Sequence, residues 1–386
     1  MEIWRFNIRH LQAFLKTVEL GTLIGAAKEV NLSQPAISQA IAKLEEQLDC
    51  SLFERRNEGM NPTVAANVIY PRVKETLRYI GRTNITRTQI KAFLSFAQRG
   101  SFIEASKTTG LSVVSLHRAV RDLEISLKQP LTRRLGRGLV LTDYGHAQAR
   151  LFGLASAELR YMVEDLVSCQ GVRSGSITIG AMPVCRARVL PAAIVAFQTA
   201  FPEINIKISE GSYAELIEPL LIGELDFLIG ALREPTPGAD LIQSPLFTDD
   251  PVVVARAEHP IFSLSQSSES TVGLLSSYPW CVPQSGAPLR DRWERWFRGE
   301  NLSLPNISVE CGSIIVNRQI LLKTDSLTIL SSDQVAVELN AGLLKVVCSL
   351  PKELNRTIGL LCRKDWRPTD SQACFIDILK NISQSN

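Results

Sequence analysis

The feature that most constrains this chain is that it repeats itself. Shifted by 79 residues, positions 8–66 match positions 87–145 without a gap, with 17 identities in 59 positions. Ala13-Phe14-Leu15 meets Ala92-Phe93-Leu94, Gly21 meets Gly100, and Leu32-Ser33 meets Leu111-Ser112. Further on, Leu44-Glu45 meets Leu123-Glu124, and Thr63 meets Thr142. A chain of this kind must fold one compact unit twice in succession before the rest of it begins.

Hydrophobic periodicity says what that unit is. Leu11, Phe14, Leu15 and Val18 form one apolar stripe and predict a helix over 8–19, which Gly21-Thr22 breaks. A short helix over 23–30 carries Ala26 and Ala27, small enough for a close helix crossing, and Asn31-Leu32-Ser33 turns into a third helix. Ser33 suits its N-cap and Pro35 its first turn, where a missing N–H costs nothing. Ile37, Ile41, Leu44 and Leu48 bury one face of that helix, while Gln34, Ser38 and Gln39 fall on the other. A Gln side chain both donates and accepts, which suits an adenine edge in the major groove. The helix alone fits a recognition helix or an ordinary amphipathic surface helix. After it, residues 52–59 read as a short strand and a basic, Gly-bearing loop with Arg55 and Arg56, placed as a wing would be beside phosphate.

The run Leu32-Ser33-Gln34-Pro35-Ala36-Ile37-Ser38, with Phe14, Gly21-Thr22, Ala26-Ala27, Leu44-Glu45 and Leu52-Phe53-Glu54-Arg55, resembles the winged helix-turn-helix of LysR-type transcriptional regulators over residues 8–63. The resemblance implies a sequence-specific, DNA-binding transcriptional regulator controlled by a small-molecule effector. Most members of that family carry a single module, so the second copy is a departure. Its expected limits are 71–145, after a first domain at 1–70.

The two copies have diverged in opposite ways. Where the first has Gln34, Pro35 and Ser38, the second has Val113, Val114 and His117, with Arg118 and Arg121 further along. Valine cannot hydrogen-bond a base edge, so base reading by the second copy should be weaker. Its wing is more basic, with Arg133, Arg134 and Arg137. The first copy is expected to be the specific reader. The second is expected either to grip phosphates or to act as a spacer or dimerisation piece.

Residues 146–168 read as one helix with Leu151, Leu154, Leu159, Met162, Val163 and Leu166 on its apolar face. In the family this linker helix pairs two subunits, and the plainer expectation is packing against its own chain. Its domain limits are set at 146–174, since Gly171 and Gly175 mark a flexible junction. The stretch after 175 alternates strand, helix, strand, helix, strand, which predicts a parallel sheet covered on both faces. It resembles the LysR effector domain, with the two-lobed fold of periplasmic binding proteins. Lobe I is expected near 175–248 and 345–386, with a return near Val346-Val347, and lobe II near 249–344. The expected fold class is thus α/β multidomain: two tandem winged helix-turn-helix domains, a linker helix and a two-lobed effector domain. Ligands of such sheets sit at strand C-termini and helix N-termini. That points to Met182, Ala231, Ser285 and Ser313 as effector-binding residues, with Arg186 added as a partner for an anion. Met182 stands where the family often has Thr or Ser, which argues against a strongly polar ligand.

Charge follows the same division. Residues 1–150 hold 22 Lys and Arg against 13 Asp and Glu, and the remainder 20 against 26. A basic front half joined to an acidic back half fits a nucleic-acid module coupled to something else. The eight cysteines, at 50, 169, 185, 281, 311, 348, 362 and 374, form no C-x-x-C pair, and the four histidines form no metal motif with them. They read as buried reduced thiols, with Cys185 the best placed for a redox switch. No Ser-His-Asp spacing or phosphate loop appears, so an enzyme, a cofactor and a metal are not expected. The N-terminus lacks the form of a signal peptide and no apolar run is long enough to span a bilayer, so a cytoplasmic location and no membrane partner are expected. Expected partners are double-stranded DNA, a small-molecule effector, further copies of the chain as homodimer or homotetramer, and RNA polymerase. The alternative is a small-molecule sensor whose helix-turn-helix copies serve protein assembly.

Overall fold

The computed structural model describes residues 3–56, 59–81, 84–136, 138–172, 174–264 and 271–384. It divides into two compact units, Met1–Gly175 with Leu221–Leu225, and Ser176–Leu220 with Asp226–Asn386.

In the first unit α1 (Ile8–Leu20), α2 (Leu23–Val30) and α3 (Gln34–Leu48) lead into a hairpin of β1 (Phe53–Arg56) and β2 (Gly59–Pro62), followed by α4 (Val64–Ile80). The pattern then recurs. α5 (Arg87–Arg99), α6 (Phe102–Thr109) and α7 (Val113–Leu127) precede a hairpin of β3 (Thr132–Leu135) and β4 (Gly138–Leu141), followed by α8 (Asp143–Cys169).

The residues identical between the copies do identical work. Gly21 and Gly100 each end a helix at φ 68°, a left-handed conformation that favours glycine. Ser33 and Ser112 cap α3 and α7, their hydroxyls accepting from Ala36 N and Ser115 N. Glu45 accepts from the backbone N–H groups of Leu52 and Phe53 at 2.7 and 3.3 Å, tying helix to hairpin. Glu124 does the same with Leu131 and Thr132 at 2.8 and 3.0 Å. Thr63 and Thr142 donate to Ser51 O and Pro130 O, closing each hairpin on its helix.

Two expectations shift here. Residues 71–80 belong to α4, the helix that follows the first hairpin, so a boundary at 70/71 falls inside a helix and the break lies after Ile80. α8 begins at Asp143 and ends at Cys169, and it packs along α4 of its own chain. Phe152, Ala155, Leu159, Met162 and Leu166 join one continuous core with both three-helix copies. Among the expected apolar face, Leu151 and Val163 are only half-buried.

The second unit holds two five-stranded sheets. In the first, ordered β6-β5-β7-β14-β8, β5 (Gly175–Ala181) and β7 (Phe227–Ala231) are parallel. β14 (Arg356–Arg363) runs antiparallel to both β7 and β8 (Leu241–Asp249), and β6 (Ile204–Glu210) lies on the edge. α9 (Val189–Ala200) covers it, joined by α10 (Tyr213–Leu221). In the second, ordered β11-β10-β12-β9-β13, β9 (Pro251–Arg256) is antiparallel to β12 (Leu327–Ser331) and β13 (Leu344–Ser349). β10 (Trp280–Val282) is parallel to β11 (Ile307–Glu310) and β12. Short helices α11 (Ile261–Leu264) and α12 (Thr271–Leu275) precede β10. α13 (Pro288–Gly299), α14 (Ile314–Leu321) and α15 (Ala336–Asn340) complete this part, and α16 (Asp370–Gln384) returns to the first sheet's core through Phe375 and Leu379.

Both sheets are therefore mixed rather than parallel. The chain crosses between them at Asp250 and again over 350–355, and a strand entering on the return runs opposite to its neighbours. Val346-Val347 lie on β13 of the second sheet, so the return comes later than the expected 345. Buried aromatic clusters anchor each side: Phe197, Phe227 and Phe375 under the first sheet, Trp280, Trp293 and Phe297 under the second.

Candidate functional site

Two surfaces carry chemistry. The first is the polar side of α3. Ile37, Ile41, Leu44 and Leu48 are buried, which turns Gln34, Pro35 and Gln39 outward, with Ser38 half-exposed beside them. Gln34, Ser38 and Gln39 make no side-chain hydrogen bond within the described residues, so their donors and acceptors stay available. Ser33 is committed to its capping bond. Arg55 and Arg56 lie on β1.

The corresponding side of α7 is built differently. Val114 is 77% exposed, and His117 lies against the Phe102 ring at 3.9 Å between centroids. His117, Arg118 and Arg121 border a cleft of about 500 Å³ with Phe102, Val114 and Leu139. Arg118 stands 3.9 Å from Asp122, a loose and exposed pair worth little. Arg133 and Arg134 are exposed on β3, and Arg137 lies outside the described residues. The second copy thus presents cations and apolar side chains where the first presents amides and hydroxyls.

The second surface is a cavity of about 310 Å³ inside the second unit. Of the residues expected there, Met182, Ala231 and Ser285 line it. Arg186 and Ser313 do not appear in its wall. The Arg186 guanidinium is engaged by the Glu210 carboxylate, and the Ser313 hydroxyl is spent capping α14 by accepting from Val316 N. Arg186 was a candidate for its charge and Ser313 for its place at a helix start, and each satisfies a neighbour instead.

Residues not expected from sequence supply the polar lining. Arg233 lies 4.1 Å over the Tyr213 ring, held by Gln243, which donates to Arg233 O and accepts from Arg233 N. The buried Arg233 Nε has no hydrogen-bond partner. Burial pushes the Tyr213 hydroxyl pKa up, against the nearby Arg233 charge. Asn317 is 3% exposed; its Nδ2 donates to Cys311 O, and its Oδ1 has no partner. Arg356 also borders the cavity but is paired with Asp249 at 2.6 Å. No local sequence pattern marks these residues, since four separate elements bring them together.

Cys185 sits beneath this wall. Its thiol donates to Met182 O and Ile229 O, and burial pushes its pKa up to about 12. Such a thiol is protonated at neutral pH, which fits the buried reduced thiol and opposes the redox reading. Among the described residues no group of three His, Cys, Asp or Glu could hold a metal, and no helix is long and apolar enough to cross a membrane.

Comparison with known proteins agrees with this division. The family model described as the LysR substrate binding domain matches residues 170–383. The model described as the bacterial regulatory helix-turn-helix protein, lysR family, matches twice, at 8–67 and 88–146. The HTH-type transcriptional regulator GalR of Pseudomonas putida is 29% identical over 390 residues, covering 97% of both chains. The HTH-type transcriptional regulator PcaQ of Agrobacterium fabrum is 28% identical over 281 residues, 72% of this chain and 89% of that one. The crystal structure of ArgP from Mycobacterium tuberculosis superposes with a TM-score of 0.59 at 16% identity, over 77% of this chain and 97% of that one, a likeness of fold. With one model spanning more than half of its length and another matching both copies of its repeat, the chain belongs to the LysR family of transcriptional regulators.

Proposed function

We propose that this regulator reads DNA sequence through α3 of the first of two tandem winged helix-turn-helix domains and responds to a small molecule held in the cavity of a two-lobed, periplasmic-binding-protein-like effector domain. One observation carries the reading. Gln34, Ser38 and Gln39 project unpartnered from a helix whose opposite face is wholly buried. Amides with both donors and acceptors free suit base edges, and the first turn of the helix carries no carboxylate to repel phosphate. Ser33, Pro35, Arg55 and Arg56 support α3 and the backbone contact beside it. His117, Arg118, Arg121, Arg133, Arg134 and Arg137 of the second domain grip phosphate without reading sequence.

The effector makes contact with Met182, Ala231 and Ser285, and the unpartnered atoms of Arg233 and Asn317 define its polarity. It carries an acceptor or negative group for the guanidinium, a donor for the Asn317 oxygen and an apolar body for Met182. Arg186 and Ser313 act at one remove. The chain works as a regulator rather than an enzyme, in the cytoplasm, as a homodimer or homotetramer in contact with RNA polymerase.

The test has two arms. Genomic fragments retained in a gel shift should share a sequence that random duplex lacks, and retention without a shared sequence rejects base reading. A metabolite screen by thermal shift should find compounds that raise the melting temperature of the full chain, since a ligand bound only by the folded state stabilises it. Retained effects in an Arg233→Ala, Asn317→Leu chain would place the ligand elsewhere.

A further inference from the structure

The helices that follow the two hairpins are themselves a diverged pair, and they pack on each other. Buried at their contact is Arg72 of α4, whose side chain is 6% exposed. It donates from Nε to Asp165 at 2.7 Å and from Nη1 to Glu158 at 3.2 Å, both on α8, and its guanidinium lies 5.1 Å from the Tyr161 ring centroid.

The repeat shows that this contact is not symmetric. At the 79-residue shift, Arg72 corresponds to Leu151 and Glu158 to Tyr79. α4 therefore carries the buried cation and lacks the acid, while α8 carries the two acids and lacks the cation. Two α4 helices paired in the same register would bury Arg72 without a carboxylate. Two α8 helices would bury Glu158 against leucine. A buried charge left unpaired is strongly unfavourable, so the pattern selects α4 with α8 and rejects either like pair.

We infer that α4 and α8 form an intramolecular pairing device, so that one chain, by itself, holds both helix-turn-helix domains in fixed relation. The N-terminal segment reinforces it. Trp4 and Phe6 are buried in the shared core, and Arg5 O accepts from Gln47 on α3 and from Arg87 at the start of α5. Resting on the reading that these domains bind DNA, the consequence is a site with two unlike halves for each chain, rather than a palindrome read by two chains. This reading takes the place of α8 as the subunit interface, because most of its apolar face is buried in its own chain, with Leu151 and Val163 left half-buried. Deleting 146–168 would strip the core instead of producing a folded monomer.

Charge reversal in cis and in trans tests the pairing. R72E alone, and E158R with D165R alone, should each lower the melting temperature and flatten the salt dependence of binding to a 40-base-pair random duplex. Joining all three changes in one chain should recover most of both. Co-expressing the two single-sided variants should recover neither, because each chain still opposes like charges within itself. Recovery in the mixture would overturn the inference, since α4 of one chain would then meet α8 of another. Should the reversed chain fail to fold, R72M with E158L and D165L supplies the cis arm, because apolar replacement of a whole buried ion cluster is tolerated. Failure of that chain as well, while the mixture stays folded, would also overturn it. Recovery of melting temperature in cis without DNA binding would leave the pairing standing and reject the DNA reading.

Discussion

Met182 lies across Gly230. A Cβ built on that glycine would stand 2.2 Å from Met182 Cε and 2.7 Å from its Cβ and Sδ. The close approach lets the methionine lie flat on β7 at the cavity wall. Gly230→Ala should push the whole side chain into the cavity and cost about 1–3 kcal/mol of stability, as overpacking does. Met182→Ala in the same chain should restore most of it. Denaturant unfolding of the two variants beside the parent chain measures this, and an unaltered midpoint for the single variant would contradict the packing.

Gln34→Ala should cost on the order of 1–3 kcal/mol at a cognate site and far less on random duplex. Titrations against both DNAs separate the two. Equal loss on each would remove Gln34 from base reading.

Replacing Arg133, Arg134 and Arg137 together with Ala should flatten the slope of log affinity against log salt by up to about three units per chain, at roughly 0.9 per phosphate neutralised, and leave the preferred sequence unchanged. An unchanged slope would reassign the second domain to protein contacts, for which the exposed Val114, Ile125 and Leu135 are available.

His10 should make the first unit acid-sensitive. Burial and the neighbouring charges of Lys43 and Arg87 hold its imidazole below the ordinary 6.5, and its Nδ1 has no hydrogen-bond partner. Because the folded value is depressed, the unfolded chain takes up the proton first. Stability is fully present above pH 6.5 and is lost as pH falls from there through the folded value. His10→Gln should reduce that loss between pH 7.5 and 5.5 in a melting series, and identical slopes would exclude the imidazole as its source.

Cys185 should resist alkylation and peroxide at neutral pH, with its thiol pushed up to about 12. Mass spectrometry of the native chain after iodoacetamide treatment checks it, and rapid Cys185 labelling would restore the redox reading.

Local pattern decided much of this protein. Apolar periodicity, the Ser33 and Ser112 caps, and Gly21 and Gly100 define the helices, because helix spacing and termini depend on side chains a few residues apart. The 79-residue repeat likewise carries its own structure twice, since Glu45 and Glu124 act on backbone only seven and eight residues away. The cavity was partly legible: strand ends and helix starts pointed to Met182, Ala231, Ser285 and Ser313, and charge to Arg186, but the Ser313 and Arg186 groups are taken by Val316 N and Glu210. Asn317, Tyr213 and Arg233 had no local signature, because a cavity wall is assembled from elements far apart in sequence. The direction of β14 and the late return at 350–355 depend on two crossings between sheets, which strand patterning cannot register. The partner of α8 was decided only in three dimensions. Its apolar face is equally suited to another chain, and it is the meeting of Arg72 with Glu158 and Asp165, some ninety residues apart, that assigns it to α4.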